Sequence, residues 1–434
     1  MLSQNVYPAT TIMSKFPKQR LKNMAVLVNY IAILLSLVCG LTGPLHSQTI
    51  DRTTALDNGL EFIDTSFENA SPLHWDIDDA GHINVSLMYD HERNTLNRAA
   101  GHWHFRIHAK KGTHQTIIFN NLINIWNGRR SSPARKTTIS VISPDGIHWR
   151  AVPMDFLEQE RLQLTVPMEE SSMYVARLEP YTLAHLEQLY ASIQDKALVE
   201  ITPIGKTVDG RPLEILRVGR ENAPKRLFLR ARAHAWEPGG NWVVQGLVNR
   251  LLQDDDDARK YLDRYCVYIL PMANKDGVAR GRTRFNLLGM DLNRLWDSPA
   301  NPELSPENHA LETWLKHMIA AGKRPDFAID LHNDGGGKIH VSRPEPEVPG
   351  YLEFMEQYDA LAQEHTLFTE GSTNANFSNP GSIGEGLLMR YDIFACVHEL
   401  NADWLKGAND YPMGNHWEKL GAQMCEVFYR LFEK

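Results

Sequence analysis

The sequence predicts two folds in succession: a small antiparallel β-sandwich, then an α/β domain on a mixed central sheet with helices on both faces. Three observations carry this. Short β-rich runs separated by turn signals fill residues 62–174. From about Pro180 strands alternate with helical segments, the pattern of α/β proteins. Three of those later strands are continuously apolar, as strands buried on both faces are. The expected division is a leader over 1–47, a sandwich over 48–178 and an α/β domain over 179–434.

In the first part the strand candidates are residues 82–88, 103–108, 116–119, 137–142 and 162–166. Lys111-Gly112 and Asp145-Gly146 supply turns between them. The run 102–108 puts His102, His104 and His108 on one face. Three such histidines can chelate a metal, but strands alternate by default, so a polar outer face is expected. In the second part 183–194 reads as a helix, 226–231 as a strand and 241–252 as the helix after it. Residues 266–270, 327–331 and 393–397 are the apolar strands. The aspartates at 254–257 read as a solvated loop, without the spacing of a calcium loop.

The N-terminus carries a different signal. Lys15, Lys18, Arg20 and Lys22 precede an apolar run over 24–41, then a polar start near Ser47. This is the layout of a secretory signal peptide. The expectation is export to the periplasm or the extracellular space, with cleavage after Ser47. Membrane contact is expected only if the leader stays uncleaved as an anchor, for which the run is nearly long enough. Of four cysteines, Cys39 lies in the leader, and Cys266 and Cys396 sit in apolar strands, so buried thiols are expected rather than a disulfide framework. A formal charge of −8 over 434 residues argues against a nucleic-acid partner, which requires a basic stripe.

Four clusters can carry chemistry. His234-Ala-Trp-Glu237 lies in a turn between a strand and a helix, where imidazole and carboxylate can meet a metal. An isolated pair at this spacing is a weak signal. Its position strengthens it, because sites in open α/β sheets gather at the C-terminal ends of strands. His332 ends another strand before a glycine loop, and Asp330 could hold its ring from behind. The turn Arg284–Trp296 gathers Arg284, Asn293 and Arg294, cationic and amide groups suited to a carboxylate and a developing oxyanion. Glu399 ends a buried strand and suits a general base beside a metal.

On these motifs the chain resembles the zinc carboxypeptidase family. The match comprises HxxE at His234–Glu237, Arg-x-Asn-x-x-Gly-x-Asp-Leu-Asn-Arg at 284–294, the strand-end His332 and the strand-end Glu399, in that order. The β-rich segment through Phe119-Asn-Asn-Leu122 looks like the sandwich of the cytosolic carboxypeptidase-like subfamily. The resemblance implies one zinc per chain on His234, Glu237 and His332. It implies that Glu399 activates water, Arg284 stabilises the oxyanion, and Asn293 and Arg294 grip the C-terminus of a peptide or protein substrate. Phe377 stands where the family carries a mobile tyrosine, supplying a ring without the hydroxyl. Arg390 resembles a basic residue near the pocket for acidic substrates, whereas Glu385 could favour a basic C-terminal residue. Two other readings stay open. One is a zinc amidase or deacylase acting on N-acyl amino acids or peptidoglycan peptides, and the other an inactive binding module.

Overall fold

The computed structural model describes residues 58–126 and 128–433. The leader and its cleavage site lie outside them. Among the described residues no helix is long and apolar enough to cross a membrane, and Cys266, Cys396 and Cys425 are buried free thiols.

The first part is a sandwich of two five-stranded sheets. One runs Leu60–Asp64, His104–Ala109, Ser172–Ala176, Ile139–Ser143 and Arg150–Pro153; the other runs Asp155–Leu157, Arg161–Pro167, His114–Phe119, Ile83–Leu87 and Leu73–Ile77. Pairing is antiparallel except between Ile83–Leu87 and His114–Phe119, which run parallel. Alternate residues such as Ile83, Val85, Phe105, Ile107, Phe119 and Leu164 close the core between the sheets. A small hairpin, Asn124–Trp126 with Arg129–Ser131, projects from this part.

The three histidines do not form an outer face. His102 and His104 are buried, and Asn69 accounts for it: His102 Nε2 lies 3.3 Å from its carbonyl and His104 Nδ1 3.0 Å from its side-chain oxygen. The segment bearing Asn69 folds over that face and bonds across to Val278 and Ala279 of the second part. Alternation set the face correctly, but tertiary packing covered it.

The second part is built on a seven-stranded sheet in the order Val199–Lys206, Pro212–Val218, Tyr265–Leu270, Lys225–Ala231, Phe327–Asp334, Phe394–Asn401 and Ile339–His340. Its four central strands are parallel neighbours, and the edge strands are antiparallel. Burial of both faces explains their apolar runs. Helices cover both faces. On one, Gly239–Leu251 crosses Gly414–Leu431 closely: a Cβ on Gly246 would fall 1.9 Å from the Glu418 carbonyl oxygen, and one on Gly421 equally close to that of Val243. On the other face lie Pro306–Ala320 and Ile383–Tyr391, packed with Phe228, Ala328 and Ala395 of the sheet. The aspartate run is half helix: Asp255 accepts from the Ala258 N–H and caps Asp256–Arg264.

The two parts join in one compact unit. The Asp90 carboxylate from the sandwich accepts the backbone N–H groups of Thr283, Arg284 and Phe285 at 2.6, 2.6 and 2.8 Å. Arg177 donates to Asp403 at 2.8 Å in a buried ion pair.

Candidate metal centre and active site

His234, Glu237 and His332 converge at the C-terminal ends of adjacent parallel strands. Lys225–Ala231 leads into the turn bearing His234 and Glu237, and Phe327–Asp334 carries His332. The turn is tight against its neighbour, since the Gly239 N–H donates to Asn333 Oδ1 at 2.8 Å and a Cβ there would meet that amide. His234 Nδ1 is 2.8 Å from Glu237 Oε1, His332 Nδ1 is 2.7 Å from Glu237 Oε2, and the two Nδ1 atoms are 3.1 Å apart. Tetrahedral ligands on bonds of ~2.1 Å sit roughly 3.4 Å from one another. Two imidazoles and a carboxylate gathered this closely fit a zinc ion, and all three side chains are buried.

Each ring is held from behind. His234 Nε2 donates to Asp291 Oδ1 at 3.0 Å, and Arg284 Nε donates to Asp291 Oδ2 at 2.9 Å. His332 Nε2 donates to Asp330 Oδ2 at 2.5 Å, and Arg230 grips that carboxylate through Nε and Nη2 at 2.7 and 2.6 Å. With Nε2 protonated toward a carboxylate, Nδ1 keeps the lone pair that a metal requires. Burial alone would raise both aspartates, but Arg230 holds Asp330 low and Arg284 holds Asp291 well below the usual carboxylate range. His332 is raised well above its ordinary value, its burial outweighed by Asp330 and Glu237.

Glu399 stands directly across from His332 in strand register. Burial, reinforced by the neighbouring Asp334 carboxylate, pushes its carboxyl well above the usual range. A cavity of about 320 Å³ opens over these groups and is also lined by Arg284, Asn293, Arg294 and Phe377. The Arg284 guanidinium lies 4.4 Å from the Trp126 ring, so the sandwich hairpin forms part of the cavity wall. Asn293 Oδ1 accepts the Ile383 N–H at 2.9 Å, and Arg294 Nη1 donates to the Asn293 carbonyl at 2.6 Å. The Phe377 ring packs 4.4 Å from that of His340.

Arg390 does not join this group. It donates to Glu312 and to the Trp296 and Ser298 carbonyls, facing a separate depression on the far side of the 284–296 turn. A second recess does adjoin the main cavity and shares His340, Phe377 and Asn379 with it. It contains Glu385 and Arg343. Arg343 donates to the Val341 and Thr373 carbonyls at 3.1 and 3.0 Å, and among the described residues no carboxylate is paired with it. Sequence reasoning missed Arg343, whose only signal was its place just past an edge strand. The support Asp291 gives His234 was also missed, although Asp291 lies inside the 284–294 motif.

A profile described as zinc carboxypeptidase matches residues 184–367. The match to a zinc carboxypeptidase domain thus spans residues 184–367. Among curated relatives, cytosolic carboxypeptidase 6 of Caenorhabditis elegans is 34% identical over 277 residues, covering 58% of this chain and 56% of that one. Cytosolic carboxypeptidase 1 of Mus musculus is 38% identical over 106 residues, 24% of this chain and 9% of the mouse protein. The chain thus spans little more than half, or far less, of these relatives' lengths. A metallo-carboxypeptidase from Pseudomonas aeruginosa, solved with (2-guanidinoethylmercapto)succinic acid, shares the fold at TM-score 0.73 and 23% identity, covering 86% of this chain and 99% of that one. That overlap includes the sandwich together with the carboxypeptidase domain.

Proposed function

We propose that the protein is a zinc-dependent carboxypeptidase that hydrolyses the C-terminal residue of peptides, with a preference for glutamate or aspartate. The observation that supports it most is one cavity lined by His234, Glu237, Arg284, Asn293, Arg294 and Glu399, with His332 clustered against the first two. Zinc, one ion per chain, supplies Lewis acidity and makes water nucleophilic near neutral pH. Asn293 and Arg294 hold the terminal carboxylate, which restricts cleavage to the last peptide bond. Arg284, fixed by Asp291 and Trp126, faces the oxygen on which negative charge develops. Glu399 takes a proton from water as hydroxyl adds to the carbonyl carbon, then passes it to the amine released when the C–N bond breaks. Phe377 closes the cavity by apolar contact only. The leader supports export, and the mature N-terminus, read by mass spectrometry, would place its cleavage.

The acidic preference rests on Arg343 rather than Arg390. The Arg343 cation lies in the adjoining recess, fixed by two carbonyls and, among the described residues, unpaired with a carboxylate. Glu385 in the same recess favours a second reading, release of lysine or arginine. Zinc-loaded protein should release C-terminal glutamate or aspartate from a peptide library. Glu399→Gln should lose at least about 10²-fold in kcat, the scale of a lost general base, while keeping its zinc. Arg343→Gln should reduce kcat/KM for glutamate by roughly 10-fold or more and spare neutral residues. Release of lysine that depends on Glu385 would reverse the preference. Hydrolysis of N-acyl amino acids or muropeptides alone would point instead to the amidase reading, and zinc without any hydrolysis to a binding module.

A further inference from the structure

Behind the turn that carries Asn293 and Arg294 lies a separate cavity of about 250 Å³. Met290, Leu295, Trp296, Pro299 and Leu304 make much of its wall apolar, with a few polar groups set among them. Apolar walls with a few placed polar groups are the usual composition of a small-molecule site. Leu295 and Leu304 are 58% and 44% exposed, so the apolar lining opens to solvent. Leu295 is also held at a φ of 63°, a left-handed conformation that is costly for a bulky residue. Such strained residues cluster at ligand clamps and switch regions.

The polar groups of this cavity suit an anion. The fifteen-residue helix Pro306–Ala320 starts here, with Ser305 and Asn308 in the cavity wall. A helix N-terminus attracts negative charge. Ser305 stands at the capping position but makes no capping bond, and its Oγ is buried without a hydrogen-bond partner. The residue is 6% exposed, and buried polar atoms are nearly always satisfied. Arg294 lines the same cavity; it donates to the Asn293 carbonyl, and among the described residues no carboxylate forms an ion pair with it. The two carboxylates that reach this cavity are committed elsewhere, Asp291 to Arg284 and Glu312 to Arg390. Glu307, in the first turn of the helix, bonds to Asn286 and Val208 instead.

We propose that this cavity binds a small monocarboxylic acid with an apolar chain. Arg294, the Ser305 hydroxyl and the helix N-terminus receive the carboxylate, and the chain lies along Leu295, Trp296 and Leu304. Bonds from a guanidinium to a carboxylate are among the stronger hydrogen bonds, which favours the acid over its neutral analogues. Arg294 lines the main cavity as well. On the carboxypeptidase reading above, the same guanidinium grips the substrate's terminal carboxylate, so the two anions draw on one cation from opposite sides of the turn. The bound acid is therefore an effector that weakens substrate binding more than it slows turnover.

Titration calorimetry of the zinc-loaded full chain with hexanoate tests the site without reference to hydrolysis. Wild type should bind hexanoate, and uncharged hexanamide roughly 10-fold more weakly or not at all. Leu304→Asp sets a like charge at the exposed rim and Ser305→Ala removes the hydroxyl; each should weaken hexanoate by roughly 10-fold. Neither residue lines the main cavity, so peptide hydrolysis without hexanoate should stay at the wild-type rate in both. With active protein, hexanoate should raise KM to a plateau roughly 5-fold or more above its starting value, and Leu304→Asp should abolish the rise. No binding by wild type would overturn the proposal. So would affinity that survives both substitutions and disappears in His234→Ala, which would put the acid at the metal centre. Binding with an unmoved KM would overturn the coupling through Arg294. Failure of peptide hydrolysis would refute the carboxypeptidase reading and leave calorimetry to decide the acid site.

Discussion

His332 shows how much of a candidate metal ligand lies behind the ring itself. Its Nδ1 faces Glu237, while Nε2 is committed to Asp330, whose other oxygen is committed to Arg230. His234 repeats the arrangement with Asp291 and Arg284. The backing carboxylate fixes the ring's orientation and tautomer and makes the ligand more basic, so Asp330→Asn should weaken zinc binding by roughly 10–100-fold. Competition with a chromophoric chelator measures this, and circular dichroism at the same temperature separates it from unfolding. Unchanged affinity in a folded variant would mean the ring is oriented by packing alone. The three candidate ligands were legible in the sequence because strand ends followed by turns are recognisable locally. Asp330 was legible too, two residues from its histidine. Asp291 supports a ring 57 residues away, and nothing in its neighbourhood shows the pairing. Arg390 illustrates the limit in the other direction: it has the right chemistry for an acidic substrate, but Glu312 on a different helix holds it outside the cavity.

The loop carrying Arg284 is shaped from outside its own domain. Asp90 accepts three consecutive N–H groups, of Thr283, Arg284 and Phe285, and Thr283 Oγ1 in turn accepts the Gly101 and His102 N–H groups at 3.0 and 3.1 Å. Burial pushes the Asp90 carboxyl up, opposed by those three donors. Asparagine would set an NH₂ against at least one of them, leaving a buried donor unsatisfied at about 1–3 kcal/mol. Asp90→Asn should therefore unfold at lower urea and lose turnover through a displaced Arg284, with zinc content unchanged. Wild-type kcat in the folded variant would show that the loop holds its shape without the sandwich. Such a contact spans nearly 200 residues, and nothing in the local pattern around either partner relates them. The strands Val199–Lys206 and Pro212–Val218 were not located in the sequence at all, because their polar edge positions weaken the alternation that marks a strand.

Across the whole molecule, burial of histidines ties stability to pH. His102 and His104, buried beneath the segment that bears Asn69, are held down to about 3 by desolvation, with Arg232 adding to it at His102 and His102 at His104. Around His104 stand the rings of Phe67, Trp149 and Tyr174 and the amide of Asn69, so no carboxylate favours its charged form. An unfolded histidine protonates near 6.5 while these stay neutral in the fold. The unfolded chain then binds more protons, so the histidines' contribution to stability is intact above about pH 6.5 and falls as pH drops toward the folded value. The slope approaches roughly 1.4 kcal/mol per pH unit for each such ring. Raised carboxylates such as Asp90 and Glu399 titrate the other way, so the test is a difference between two proteins rather than one profile. Urea unfolding of chelator-treated wild type and His104→Gln at pH 7.5, 6.0 and 5.0 isolates one ring, because glutamine keeps a polar partner for Asn69 without titrating. The stability of the variant should fall less steeply below pH 6.5. Parallel profiles would mean that His104 gains a proton within the fold, and that water reaches the ring beneath Asn69.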